Sequence, residues 1–157
     1  MGIATISGRL AAAGYQLPIV NLPRGSYTAS VFTGDLLFIA GQAPRINGEL
    51  VHAGQVGRDL SVDEGQSAAE ICALNILAHL AAACDDQVER VVQAVRLAGI
   101  VNCAADFADH AKVLDGASDL IVRILGDQGR HTRVASGASS LPSRMAVEIE
   151  AVFQIKH

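Results

Sequence analysis

From Met145 to Gln154 the chain alternates in character. Met145, Val147, Ile149, Ala151 and Phe153 fall on one side, and Arg144, Glu148, Glu150 and Gln154 on the other. Successive side chains of a β-strand leave on opposite faces, so this is a strand with one face in a core. Such a strand needs neighbours for its backbone groups and a second layer over its apolar side, which restricts the chain to folds built on a sheet. The preceding stretch, Gly129-Arg130-His131-Thr132-Arg133-Val134-Ala135-Ser136-Gly137, is β-compatible as well, and Leu141-Pro142 separates the two. They are expected to pair as an antiparallel hairpin, with Arg133 and Glu150 on neighbouring strands. A guanidinium can clamp a small acid and a carboxylate can hold a water, so the pair reads as a reaction site. It also reads as an ordinary cross-strand ion pair on a solvated face, and spacing alone leaves both open.

The rest of the chain supplies the second layer. Residues 5–14 space Ile6, Leu10 and Ala13 along one side of a short helix, with Gly14 as its stop. Pro18 and Pro23 then punctuate an extended lead-in. Residues 27–33 and 36–40 are predicted strands joined at Gly34-Asp35, a tight hairpin turn. Gly41-Gln42-Ala43-Pro44 ends the second of them, since Gly allows close backbone approach and Pro blocks further pairing. Asn47-Gly48 signals another turn. Ser61-Val62-Asp63-Glu64 is a capping box that opens the longest helix, to about Cys84. Ile71, Leu74, Leu77, Ala78 and Ala81 form its main stripe, and Ile76 and Leu80 leave little of the remainder polar, so it should be covered on two sides. Residues 91–103 form a long strand. A last helix covers about 117–125, beginning as early as Asp109, and stops at Gly126.

This order predicts a single domain over 1–157: an α+β two-layer sandwich, helices on one sheet face, with residues 1–20 as an amino-terminal extension. Several strands place apolar residues on the face the helices leave bare, so self-association through that face is expected.

Composition narrows the chemistry. Lys+Arg number 12 against Asp+Glu 16, a formal net charge of −4, and only 4% of residues are aromatic. A nucleic-acid groove wants positive charge and stacking rings, so both balances count against one. Cys72, Cys84 and Cys103 form no C-x-x-C pair and no metal-ligand spacing, and read as small buried hydrophobes. His52, His110 and His157 show no ligand spacing with one another, and no metal is expected. His79, inside the apolar helix, is expected to be hydrogen-bonded or partly exposed. The amino terminus lacks a basic region followed by a long apolar run. The longest uncharged apolar stretch, 71–84, is too short for a membrane span and contains Asn75 and His79. A soluble, reduced, cytoplasmic protein is the expectation.

Taken together, Gly25-Ser26-Tyr27, Leu36-Leu37-Phe38-Ile39-Ala40-Gly41-Gln42-Ala43-Pro44, the helix from Glu64 through Asn75, Asp106-Phe107, Arg133, Leu141-Pro142 and Val147-Glu148-Ile149-Glu150-Ala151 resemble the RidA family, also called YjgF or endoribonuclease L-PSP. Val56-Gly57-Arg58-Asp59-Leu60-Ser61, Cys72-Ala73-Leu74-Asn75, Gly116-Ala117-Ser118-Asp119-Leu120 and Gly129-Arg130-His131 look like a longer subgroup of YjgF-like endoribonucleases. The match runs from about residue 20 to the end. The resemblance implies a chorismate-mutase-like fold, a homotrimer with ligand clefts between subunits, and hydrolysis of reactive enamines and imines to 2-keto acids and ammonia without cofactor. It implies Arg133 as the grip on a substrate carboxylate, Glu150 as the holder of the attacking water, Tyr27 as the cleft tyrosine and Gly41 as a backbone donor. Val134, Ala135 and His131 flank the arginine in the same cleft.

The chain also departs from the pattern. Ala40 stands where the family has a cleft serine, Ala135 where it has a cysteine, and His131 where it has a proline. A family asparagine falls close to Asp115, where a carboxylate would add negative charge to the cleft. His131 is either a proton donor near the cleft or a solvated loop residue, and Glu148 reads as rim or intersubunit polarity. Three functions follow as expectations: an imine or enamine deaminase with a small 2-imino or 2-keto acid as ligand, a non-catalytic trimer that binds small carboxylates or a protein partner, and, weakest on charge and missing aromatics, an endoribonuclease.

Overall fold

The computed structural model describes residues 3–156, so His157 lies outside the described residues. The elements in order are α1 (Ile6–Ala12), β1 (Ser30–Thr33), β2 (Leu36–Gln42), β3 (Arg45–Ile46), β4 (Glu49–Leu50), α2 (Val62–Ala83), β5 (Val91–Asn102), α3 (His110–Leu125), β6 (Thr132–Ala138) and β7 (Val147–Ile155). Five strands form one mixed sheet in the order β1-β2-β7-β5-β6, and β3 with β4 makes a separate small hairpin. Helices cover one face of the main sheet, an α+β fold.

Local chemistry accounts for most boundaries. Thr5 caps α1 by accepting from the Gly8 N–H. The Ser61 hydroxyl caps α2 while Glu64 reaches back to the Ser61 N–H, closing the capping box. Asn47 and Gly48 both take positive φ, 52° and 84°, the two-residue turn that suits the twist of the β3–β4 hairpin. Because α2 is apolar on nearly every side, it is covered twice, by α3 alongside it and by β2 and β7 beneath it, while α3 lies over β5 and β6. α3 comes close enough to α2 that a Cβ at Gly116 would overlap the backbone carbonyl of Gln66. α3 begins at His110, the earlier of the two expected starts. β1 begins only at Ser30, and β2 runs on past Ala40 to Gln42.

The largest correction concerns β6 and β7, which do not pair as a hairpin. β6 pairs in parallel with β5 at the sheet edge, while β7 lies between β2 and β5, antiparallel to both. The chain enters β6 through the α3 crossover, and a helical crossover returns a strand parallel to its predecessor. Val147, Ile149, Ala151, Phe153 and Ile155 are all buried, and a central place gives such a strand neighbours on both sides. His79 is also corrected: it is buried, and its Nε2 has no hydrogen-bond partner among the described residues.

The bare sheet face carries Val31, Phe38, Ile100 and Val134, all exposed, among Arg96, Glu148 and Glu150. Among the described residues, no helix is long and apolar enough to cross a membrane.

Candidate active site

β2 and β7 fall out of step at one place. Ile39 faces Ala151 and Gln42 faces Ile149, so β2 spends three steps where β7 spends two. The extra residue lies in Ala40-Gly41, and a bulge of this kind re-aims the backbone. A Cβ on Gly41 would lie 2.5 Å from Glu148 Oε1. Only a glycine lets the Glu148 carboxyl rest against the strand. Burial pushes that carboxyl above the ordinary glutamate range, and the negative charge of Glu150 pushes it further.

Gly41 and Glu148 lie on the wall of a cavity of about 680 Å³. Tyr27, Asn75, Met145 and the lead-in residues 18–24 complete much of the lining. Asn75 is 2% exposed and donates from Nδ2 to the Ala43 and Arg45 carbonyls, both at 3.0 Å, which pins the chain where it leaves β2. Tyr27 is 54% exposed, and its hydroxyl accepts from the Arg24 N–H at 3.4 Å.

Arg133 lies elsewhere. In the register of β5, Leu97 faces Arg133 on one side and Ala151 on the other, while Ala98 faces Val134 and Glu150. Leu97 and Ala151 are buried under the helices, so Arg133 points toward the helix layer. Val134 and Glu150 share the bare face. Arg133 and Glu150 are therefore on opposite faces of the sheet with β5 between them, not side by side.

The Arg133 side chain, 23% exposed, donates from Nη1 to Asp115 Oδ1 at 2.8 Å and to Ser118 Oγ at 3.1 Å. Its Nη2 donates to the Ala111 carbonyl at 3.3 Å. His131 Nδ1 lies 2.6 Å from the Gly129 carbonyl, which can only accept, so Nδ1 carries the proton. In the neutral ring, Nε2 then accepts from the Ser118 hydroxyl at 3.0 Å. Glu150 instead sits 3.4 Å from Arg96, beside a shallow hollow lined by Ser30, Val31 and Phe38.

Comparison with known proteins agrees with this architecture. A family model described as "YjgF/chorismate mutase-like, putative endoribonuclease" matches residues 7–151. The chain belongs to the YjgF family. It is similar to protein TCP17 of Trypanosoma cruzi, 38% identical over 96% of this chain and 97% of the relative. Among solved structures it resembles Atu1372 of Agrobacterium tumefaciens, a protein of unknown function, at 39% identity with a TM-score of 0.90 over 96% of this chain and 92% of that one. It also resembles a "putative endoribonuclease" of Shewanella oneidensis MR-1, at 36% identity with a TM-score of 0.92 over 96% and 99% of the two chains.

In this YjgF protein, the expected site residues fall into three groups. Tyr27 and Gly41 come together in the cavity. Arg133, Asp115 and His131 come together at the edge strand β6, with Ala135 half-buried beside the core and Val134 turned to the bare face. Glu150 belongs to neither. Reading the chain as a sequence misses Glu148, Asn75 and Ser118. For Glu148 a signal exists: a glycine facing the strand that carries two glutamates asks which carboxyl needs the missing Cβ. For Ser118 nothing local marks it, because its partners are 13 and 15 residues away.

Proposed function

We propose that this protein is an imine and enamine hydrolase that releases 2-keto acids and ammonia, working in clefts assembled between copies of the chain. The observation that carries the reading is the Glu148 carboxyl set against Gly41 inside a cavity. A protonated imine carbon is already electrophilic, so orientation and one placed water supply most of the catalysis. The Glu148 carboxylate takes a proton from that water as its oxygen bonds to the imine carbon and the C=N electron pair moves onto nitrogen. The same carboxyl returns the proton to the amine, and as the C–N bond breaks and ammonia leaves, the hydroxyl gives its proton to the Glu148 carboxylate, which passes it to solvent, leaving the ketone. A carboxyl with raised proton affinity suits both halves of that exchange. We assign this role to Glu148 in place of Glu150.

The substrate carboxylate still requires a cation. Arg133 of the same chain is three strands from Gly41, about 14 Å at the usual strand spacing, and on the other face. Among the described residues its bonds run from Nη1 and Nη2 and leave Nε–H without an acceptor, next to a sheet edge that no described strand pairs on its outer side. The reading therefore takes the clamp from the β6 edge of a neighbouring copy, and the apolar bare face supports such self-association.

Subunit complementation tests this. Arg133→Ala and Glu148→Gln are each expected to lose keto-acid and ammonia release from freshly generated imines. Refolding the two variants together in equal amounts should restore about one quarter of wild-type activity, because about one shared cleft in four then receives both intact groups. No recovery on mixing would place the chemistry within one chain or outside these residues.

A further inference from the structure

We propose that the cavity beside Glu148 takes 2-imino and 2-keto acids with a branched or aromatic hydrocarbon tail, and that Ile19 and Leu22 of the lead-in form the wall that recognises it. This rests on the reading above for the polar end of the ligand and adds the identity of the other end.

Size is the first argument. A six-atom acid such as pyruvate displaces roughly six waters, about 180 Å³ at the liquid share of each. The cavity of the single chain, before a neighbouring copy enters it, measures about 680 Å³, and pockets for much larger ligands begin at about 300 Å³. Chemistry is the second argument. The catalytic groups line the side formed by β2 and β7, whereas Pro18, Ile19, Leu22 and Pro23 come from the lead-in and Met145 from the start of β7. Ile19 is 88% exposed and Leu22 83%. Two aliphatic side chains this bare, on one short segment, mark a surface waiting for apolar contact.

Rigidity is the third argument. The lead-in belongs to no strand or helix, yet Pro18 and Pro23 fix φ at two of its positions. One tie holds its start to α2, Tyr15 donating to Glu70 Oε2 at 3.0 Å, and within the segment the Arg24 N–H donates to the Tyr27 hydroxyl. A stiffened wall loses less freedom when a ligand seats against it. Ile6 and Leu10 of the amino-terminal extension pack in the core, so it is the end of the extension and the lead-in after it that serve the site.

The test is calorimetric binding of pyruvate, 4-methyl-2-oxopentanoate and phenylpyruvate to the full chain and to the Ile19→Ser/Leu22→Ser double variant. Both positions are exposed, so the variant keeps its fold. Each buried methylene favours binding about fourfold; three extra carbons at an open-mouthed site predict about tenfold preference for 4-methyl-2-oxopentanoate over pyruvate. The double variant should bring that ratio toward one. A wild-type ratio near one, or a ratio the double variant leaves unchanged, overturns the proposal. So does a variant that alters only the oligomeric state, which would show a second copy covering these side chains. The binding ratio stands apart from turnover: wild type that hydrolyses no imine made in situ from alanine or leucine defeats the reading of Glu148, not that of the tail wall.

Discussion

Replacing Gly41 by alanine separates the site from the fold. The added methyl would lie 2.5 Å from Glu148 Oε1, 2.9 Å from its Cδ and 3.0 Å from its Cγ. Comfortable contact between such atoms begins near about 3.5 Å, so the carboxyl must retreat by roughly 1 Å. The atoms in the way are the end of a flexible side chain, and turning them off their preferred angle costs about 0.5–1.5 kcal/mol. Alanine also removes freedom from the unfolded chain, worth about 0.4–1 kcal/mol in the opposite sense. The two nearly cancel, so the melting temperature should barely move. The reaction is less forgiving, since a displacement of about 1 Å at a reacting group costs on the order of 100-fold in rate. Gly116→Ala is the matched control. There the methyl meets the Gln66 carbonyl in the body of α2, which cannot rotate away. Overpacking of about 1–3 kcal/mol or more outweighs a helix-propensity gain of about 1 kcal/mol, and Tm falls by about 2–4 °C for each kcal/mol lost. Scanning calorimetry with coupled detection of keto acid and ammonia reads both effects. Full activity in Gly41→Ala, or a Tm loss matching that of Gly116→Ala, would refute the reasoning.

Glu148→Gln should remove turnover yet raise Tm at neutral pH. Burial and Glu150 lift the Glu148 pKa in the folded state, so its ionisation costs stability above the unfolded value and costs nothing well below it; the gain should vanish near pH 4. His79 behaves in the opposite sense, because burial lowers its folded pKa. The stability this maintains is present above the unfolded value of about 6.5 and is lost as pH falls; urea midpoints should drop toward pH 5.5, and His79→Leu should flatten that slope. Asp115→Asn keeps an acceptor for Arg133 while removing its neutralising charge, so 2-keto acid affinity should rise several-fold, on the order of 1 kcal/mol, as read by calorimetry.

What the sequence made legible depended on range. The alternation of Val147 through Ile155 and the Ser61–Glu64 box are local, and both elements form where those signals put them. The bare apolar face was legible too, because period two assigns faces within each strand. Strand order was not, since β6 and β7 are both acceptable hairpin partners until α3 is seen to return the chain parallel to β5. That single choice carries Arg133 and Glu150 apart. The choice between Glu148 and Glu150 was harder still. They share a face, and what separates them is one extra residue in β2, at Ala40-Gly41, a feature of a strand more than a hundred positions earlier.

The division of charged groups within one chain has a consequence for assembly. Arg133 already meets Asp115, so α3 orients the proposed clamp within the single chain. Glu148 faces a like charge, Glu150, and that repulsion is uncompensated at its own carboxyl because Arg96 pairs with Glu150. In shared clefts, a guanidinium from the next copy would approach the one carboxyl the isolated chain leaves electrostatically strained. Assembly would then lower the Glu148 pKa back toward the ordinary range, and the positive charge of a protonated imine seated beside it would hold it there, so that the carboxylate form meets the attacking water.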